Sequence, residues 1–456
     1  MGGIVQKLAD LSDHYVMVSL FMALFILTFI GAGNVAVVGM LGLILCAAGF
    51  VQGSTEVDLW VFVPLVIYNL FGMLSSCVAH GNTVEGYASI QLIFPVIYLL
   101  ASYLTERELS WLRRLCIGWA AFVAMAGMGQ FLYRAISQGS ARRLGGFLGN
   151  ANALGIFLVL GWFALQGGLQ EPQKDRDSFL QRLEPVLLAA LALTLSMGSF
   201  LSMAAGIAVL VAKKRKCVSG GETFFYAARM LAKVSLGVAS GILMYLAAAR
   251  TDWPQSCLIP FAYVLAAVLC WPGLERFLEQ YRKTSVAASG MGLLVTAVVI
   301  AIRPSAVATF AERLEMMRNG LGYLADHPLL GVGPYRWRIL NLYDSDKYFN
   351  TYHIHNVFIH VGAELGIIAM GMLLIVAFRS FRKEKPPAQY AGGAAFLFHN
   401  LMDTGFFYPG IVTMAMLTTG EARRRANVVN AVAAKLLFGA FAAVFAWNLF
   451  CYVRLR

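Results

Sequence analysis

The chain has 456 residues, of which 59% are hydrophobic and only 13% charged, with a mean hydropathy of +0.68. A soluble domain carries about a quarter of its residues as Asp, Glu, Lys or Arg, so this composition excludes a water-covered globule. In a chain solvated by lipid, the net charge of +12 is a topology signal and an attraction to anionic lipid or phosphate, not a nucleic-acid footprint.

Apolar runs, most of them long enough to cross a hydrocarbon core of about 30 Å, follow one another along the chain. They cover 15–32, 34–52, 58–79, 88–104, 115–136, 152–169, 186–197, 199–213, 226–248, 256–272, 287–303, 356–378, 389–404, 406–420 and 430–450. This predicts an all-α fold: a polytopic helical bundle of about 12–15 transmembrane helices. A helix closes its backbone hydrogen bonds within one segment, and the short alternating strands of a barrel are absent. The bundle reads as one transmembrane domain over 1–456, with a partly helical loop over 304–355. The first run leads straight into the second without a small-residue cleavage site, so no cleavable leader is expected. The cysteines at 46, 77, 116, 217, 257, 270 and 451 form no CxxC pair and read as small hydrophobes.

The stretch 186–213 is one long helix or two short ones broken near Ser196–Ser199. The basic clusters are Arg107/Arg113/Arg114, Lys174/Arg176/Arg182, Lys213–Lys216, Arg276/Arg282/Lys283, Arg379–Lys385 and Arg423–Arg425. They all fall on one side only if that stretch is a hairpin. The positive-inside rule makes that side cytoplasmic. The N-terminus is then inside, and an odd number of spans puts the C-terminus outside.

Two outer segments remain basic against this bias. The loop 137–151 carries Arg142 and Arg143 and no acid, and 304–355 carries Arg313, Arg318, Arg336 and Arg338. An anionic ligand explains them, since the planar guanidinium grips phosphate oxygens in pairs. Asn150 and Asn152 stand where they can cap the helix that follows. Within 304–355, residues 312–326 have a helical pattern with Leu314, Met317, Leu321 and Leu324 on one stripe. The run "HPLLGVGP" (327–334) is a turn, and no strand–helix context makes it a nucleotide loop.

His353, His355 and His360 lie within eight residues at the mouth of the 356–378 run. On a helix, positions 355 and 360 are about 140° apart, and no Cys or carboxylate stands at ligand spacing, which argues against a metal site. His355, at the water–headgroup boundary, is the candidate working residue, with His353 lining the site and His360 packing. Glu364, about 13 Å along the helix axis, must face protein rather than lipid. Its i−4 neighbour is His360. His399, Asn400 and Asp403 repeat the pattern at the end of a later run.

In this order the pieces resemble the O-antigen ligase and Wzy-type polymerase superfamily of membrane glycosyltransferases. The resemblance rests on "RLGGFLGNANALG" (143–155), on Arg313 ahead of "HPLLGVG", on His355–Asn356 ahead of "AELGIIAMG" with Glu364, and on Asp403 in "HNLMDTGFFYP", covering roughly 143–410. One departure is Met197, where the family often has an Arg in an "SRG" segment. The resemblance implies a cofactor-free, metal-independent transfer, with inversion, of a glycan from undecaprenyl diphosphate to an acceptor hydroxyl. It would act at the outer face of a bacterial inner membrane, with membrane lipids and a lipid A–core or polysaccharide acceptor as partners. Arg143, Arg313 and His355 become the catalytic candidates. Arg142, Arg318, Asn150, Asn152, His353, Asn356, Glu364 and Asp403 become the surrounding substrate-binding set. Ligase is the first reading. A polymerase or protein oligosaccharyltransferase differs only in acceptor, and a transporter or flippase would instead show broken helices and an internal repeat.

Overall fold

The computed structural model describes residues 14–169, 177–251, 253–301, 305–344, 349, 351–381, 385–420 and 427–455. Lys174, Arg176, Arg382, Lys383 and the arginines 423–425 of the predicted charge clusters lie outside the described residues. The apolar runs form helices. In chain order these are α1 (Tyr15–Phe29), α2 (Val35–Phe50), α3 (Leu59–His80), α4 (Ala88–Gln91), α5 (Ile93–Ala101), α6 (Glu106–Gln138), α7 (Ala151–Gly168), α8 (Asp177–Gln181), α9 (Glu184–Thr194) and α10 (Met197–Arg215). Then come α11 (Gly220–Arg250), α12 (Leu258–Gln280), α13 (Arg282–Ala301), α14 (Ser305–Asp326), α15 (Arg336–Asp344), α16 (Val357–Ser380), α17 (Pro387–Asn400), α18 (Pro409–Thr419) and α19 (Ala431–Arg454). Two three-residue strands, β1 (Thr55–Val57) and β2 (Asn427–Val429), pair antiparallel. Among the described residues, eight helices are long and apolar enough to cross a membrane, as an all-α polytopic membrane protein requires. The chain divides into two compact units, one formed by 1–112, 312–383 and 400–456 and the other by 113–311 and 384–399.

In the first unit, α2 and α19 pack antiparallel with glycine against aromatic ring. Gly42 faces Phe445 and Gly49 faces Phe438, where an added Cβ would come within 2.2 Å of the ring. Small residues allow such close approach, which drives helix association in lipid. At one end of this unit β1 pairs with β2, and Arg379 Nε donates to Asp58 Oδ2 at 3.1 Å.

The run 356–378, expected as one continuous span, is instead two half-helices joined at Gly366, whose backbone (φ 88°, ψ 174°) is not helical. The segment "HPLLGVG" fills the break. Ile367 N–H donates to Pro328 O at 2.8 Å, Val332 N–H to Ala363 O at 2.9 Å and Gly333 N–H to Glu364 O at 3.0 Å. Ser75 Oγ lies within reach of both Leu330 O and Glu364 O, at 2.7 and 2.9 Å. Ala363 O, Glu364 O and Ile367 N–H at the break are thereby bonded to protein, as non-helical backbone at membrane depth requires.

In the second unit the ambiguous stretch 186–213 resolves as a hairpin. Leu195 turns through the left-handed region (φ 48°), and the Ser196 side chain caps α10. Gln166 near the end of α7 meets Glu184 at the start of α9, so these two run antiparallel. Gly155 lies against Ser199, and Gly206 against Phe163, so α10 runs parallel to α7. Alternation of apolar residues cannot distinguish this from a straight helix.

This unit also buries a charge group that hydropathy hides. Glu184 accepts from Trp162 Nε1 at 3.0 Å, Gln166 Nε2 at 3.1 Å, Trp271 Nε1 at 2.9 Å and Lys233 Nζ at 3.0 Å. Lys233 also donates to Glu275 at 3.0 Å. Lys233 sits inside the run 226–248, where an unpaired ammonium would be costly.

Candidate functional site

In the first unit the site begins at the N-terminus of α16. Asn356 caps that helix by accepting Ile359 N–H at 3.1 Å, and its amide donates to Leu401 O at 3.2 Å. This bond ties the helix mouth to the turn after α17, which carries Asp403. The carboxylate is enclosed, with its side chain 3% exposed, and accepts Thr404 N–H at 2.9 Å. Arg313 reaches it from α14, donating to Met402 O at 2.5 Å and Asp403 Oδ2 at 3.3 Å. His355 Nδ1 lies 3.5 Å from the other oxygen, Oδ1, with the imidazole 19% exposed. One carboxylate therefore stands between the guanidinium and the imidazole that the sequence singled out separately. At 3.5 Å the His355–Asp403 separation is an ion-pair distance and not a hydrogen bond, and among the described residues His355 Nδ1 has no hydrogen-bond partner. His355 thus presents its Nδ1 side to Asp403.

A second row lies behind these residues. Glu364 is fully buried, and its oxygens accept Tyr335 N–H at 2.9 Å and Trp337 N–H at 3.1 Å. His360 Nε2 is 3.3 Å from Glu364 Oε2 and 3.1 Å from His353 Nδ1, and Ile354 N–H donates to His360 Nδ1 at 3.3 Å. His353 stacks on Phe407 with centroids 4.3 Å apart and planes 7° apart. Desolvation, then the neighbouring His360 and His355, hold the His353 imidazole well below the ordinary histidine pKa. Glu364 thus braces backbone from inside the protein. The sequence marked 327–334 as a turn and Arg336 as an outer basic residue, but nothing local showed that this turn would sit on Glu364.

The other predicted residues of this unit are more open. Arg318 is exposed, about 140° round α14 from Arg313. The Arg338 guanidinium covers the Tyr352 ring at 3.7 Å. Leu314 and Leu321 of the predicted apolar stripe are exposed, whereas Met316 is buried.

In the second unit Arg143 Nε donates to Thr194 O at 2.9 Å, and its Nη2 donates to Asn152 Oδ1 at 2.6 Å. Leu144 N–H donates to Leu193 O at 2.9 Å. The short α9 thus ends on carbonyls closed by the loop it meets, as helix C-termini require. Asn150 is the N-cap of α7, accepting Asn152 N–H at 2.8 Å and Ala153 N–H at 3.2 Å. Asn152 holds Arg143, and Arg142 is exposed. Met197 opens α10 beside Ser196 and Ser199, whose hydroxyls are 2.9 Å apart. Among the described residues no three His, Cys, Asp or Glu side chains converge as a metal site.

Compared with known proteins, residues 186–374 match a family model described as O-antigen ligase. No curated protein matches the chain. The matched stretch contains Arg313, Arg318, His353, His355, Asn356 and Glu364, and leaves Arg142, Arg143, Asn150, Asn152 and Asp403 outside it.

Proposed function

Because residues 186–374 match a family model described as O-antigen ligase, we propose that the chain moves a glycan from undecaprenyl diphosphate to an acceptor hydroxyl at the outer face of a bacterial cytoplasmic membrane, with lipid A–core as acceptor. The observation that carries this reading is Asp403 standing between Arg313 and His355 at the mouth of a membrane helix. The acceptor hydroxyl gives its proton to His355 Nε2 as its oxygen bonds to the anomeric carbon. The bond from that carbon to the diphosphate oxygen breaks, and its electron pair leaves with the diphosphate. Attack opposite the departing group inverts the sugar carbon without a metal. Arg313 stabilises the charge developing on the leaving group, the role preorganised cations serve in transfer reactions. Asp403 orients His355 and balances the imidazolium, while Asn356 sets the helix mouth. In the second unit taken by itself, Arg143, its guanidinium fixed by Asn152, is a further phosphate-binding candidate. Arg142 and Arg318 are exposed helpers. The outward placement follows from the charge clusters, which leave the 304–355 loop opposite the basic side.

The break in α16 is a feature transporters also use, where unwound backbone coordinates ions. Here Ala363 O, Glu364 O and Ile367 N–H bond to residues 328–333, which favours the enzyme reading. The test is transfer by the purified protein in nanodiscs, supplied with an undecaprenyl-diphosphate-linked glycan, EDTA and one acceptor at a time. Product on lipid A–core supports a ligase, and lengthened lipid-linked chains indicate a polymerase. No product with lipid A–core, a lipid-linked glycan or a protein acceptor would sink the transferase reading.

A further inference from the structure

The row Glu364–His360–His353 is not used in the transfer just described, yet it has a readable direction. Ile354 N–H points at His360 Nδ1, so that nitrogen accepts and the ring hydrogen of His360 sits on Nε2. That N–H faces His353 Nδ1 at 3.1 Å, with Glu364 Oε2 beside it at 3.3 Å. His353 Nδ1 accordingly accepts, which puts the His353 hydrogen on Nε2. Its ring is half-buried, and with Nδ1 turned inward Nε2 is the only nitrogen left for a ligand. The Phe407 face, 4.3 Å away, and the Tyr87 and Tyr335 rings, with centroids at 6.3 and 6.0 Å, fix its plane.

We propose that His353 is held as an Nε2–H donor to a sugar oxygen of the transferred glycan, with His360 and Glu364 acting as positioning residues that set its tautomer. This assignment rests on the transferase reading and names the ligand class of one more residue at that site. A sugar suits the surroundings better than a phosphate. Diphosphate is answered by cations, as at Arg313, whereas an uncharged N–H among aromatic rings matches a neutral hydroxyl or ring oxygen. The titratable groups facing His353 are His360, His355, Tyr87 and Tyr335, with Glu364 behind His360. Burial and the adjoining imidazoles oppose its protonation, so the ring stays a neutral donor at neutral pH.

The experiment has one arm that needs no substrate. Full-length protein carrying 15N-histidine in nanodiscs is titrated by NMR, with the His353 signal identified by its loss in His353→Gln. A single Nε2–H form persisting through pH 6.5, and released in Glu364→Gln, is the expected result. A wild-type His353 that carries its hydrogen on Nδ1, or titrates like an ordinary histidine, overturns the tautomer assignment even if transfer is intact. In the second arm, undecaprenyl-diphosphate-linked glycan extracted from the host membranes is compared with sugar-free undecaprenyl diphosphate. His353→Phe keeps the ring stack and loses the donor. It should weaken binding of the glycan-bearing lipid about tenfold and leave the sugar-free lipid unchanged, with His353→Gln recovering most of the loss. Equal weakening for both lipids, or none, overturns the sugar assignment. Absence of transfer in the assay above, with a fixed tautomer, would instead strike only the transferase reading.

Discussion

In the proposed mechanism, a single carboxylate links the base to the phosphate-binding cation. Asp403 touches both Arg313 and His355, so its loss should disturb base and cation together. Removing His355 as Ala should lower transfer by about 10²–10⁴-fold, the range for a general base. Asp403→Asn should lower kcat more than it changes KM, because it mis-sets the imidazole and leaves the lipid contacts in place; steady-state transfer rates check both. His353 carries a stability signature of the opposite kind. Its folded-state pKa is depressed, so below about pH 6.5 the unfolded chain takes up a proton that the folded chain refuses. The associated stability is fully present above that pH and is lost as pH falls. His353→Gln should flatten that part of a Tm-versus-pH curve measured in detergent. The buried lysine is a third residue-scale case. Lys233→Met strands Glu184 and Glu275 and should cost about 3–5 kcal/mol, seen as a large drop in thermal midpoint.

At the scale of elements, the informative features are those where a helix stops being regular. The α16 break and the plug that fills it are mutually dependent. A Cβ on Gly366 would lie 2.1 Å from Leu329 O, and one on Gly331 would lie 2.3 Å from the Glu364 carbonyl carbon. Both glycines also have positive φ, so neither site admits a side chain without moving backbone. Gly366→Ala should therefore expel the 328–333 segment and destabilise the fold by several kcal/mol, measured as faster proteolysis between 326 and 336. Little of this was legible beforehand. "HPLLGVGP" announced a turn through its Pro and Gly, but nothing in the run 356–378 marked Gly366 as a break, because an isolated glycine is tolerated in a membrane helix. The α9–α10 hairpin was legible indirectly. Local hydropathy left it open, and the sidedness of charge selected it, since a single span would have thrown Lys213–Lys216 across the membrane.

For the molecule as a whole, the topology makes a direct prediction. Cys217 is exposed at the end of the basic 213–216 cluster. It should resist a membrane-impermeant thiol reagent on intact cells and react after permeabilisation, whereas Tyr343→Cys in the opposite loop should react in both; the reverse pattern would invert the proposed orientation. What the sequence by itself determined is the solvent and the helices, because hydropathy and charge are sums over local residues and need no partner. It also placed His355, Arg313 and Asp403 as chemical oddities in or beside apolar runs. Only the tertiary structure decided what those oddities touch. It joined residues 313, 355 and 403 through one carboxylate, turned Glu364 inward to backbone, and set Arg143 on the end of α9. Such contacts join residues far apart in the chain, and neither periodicity nor composition records which distant groups a fold brings into contact.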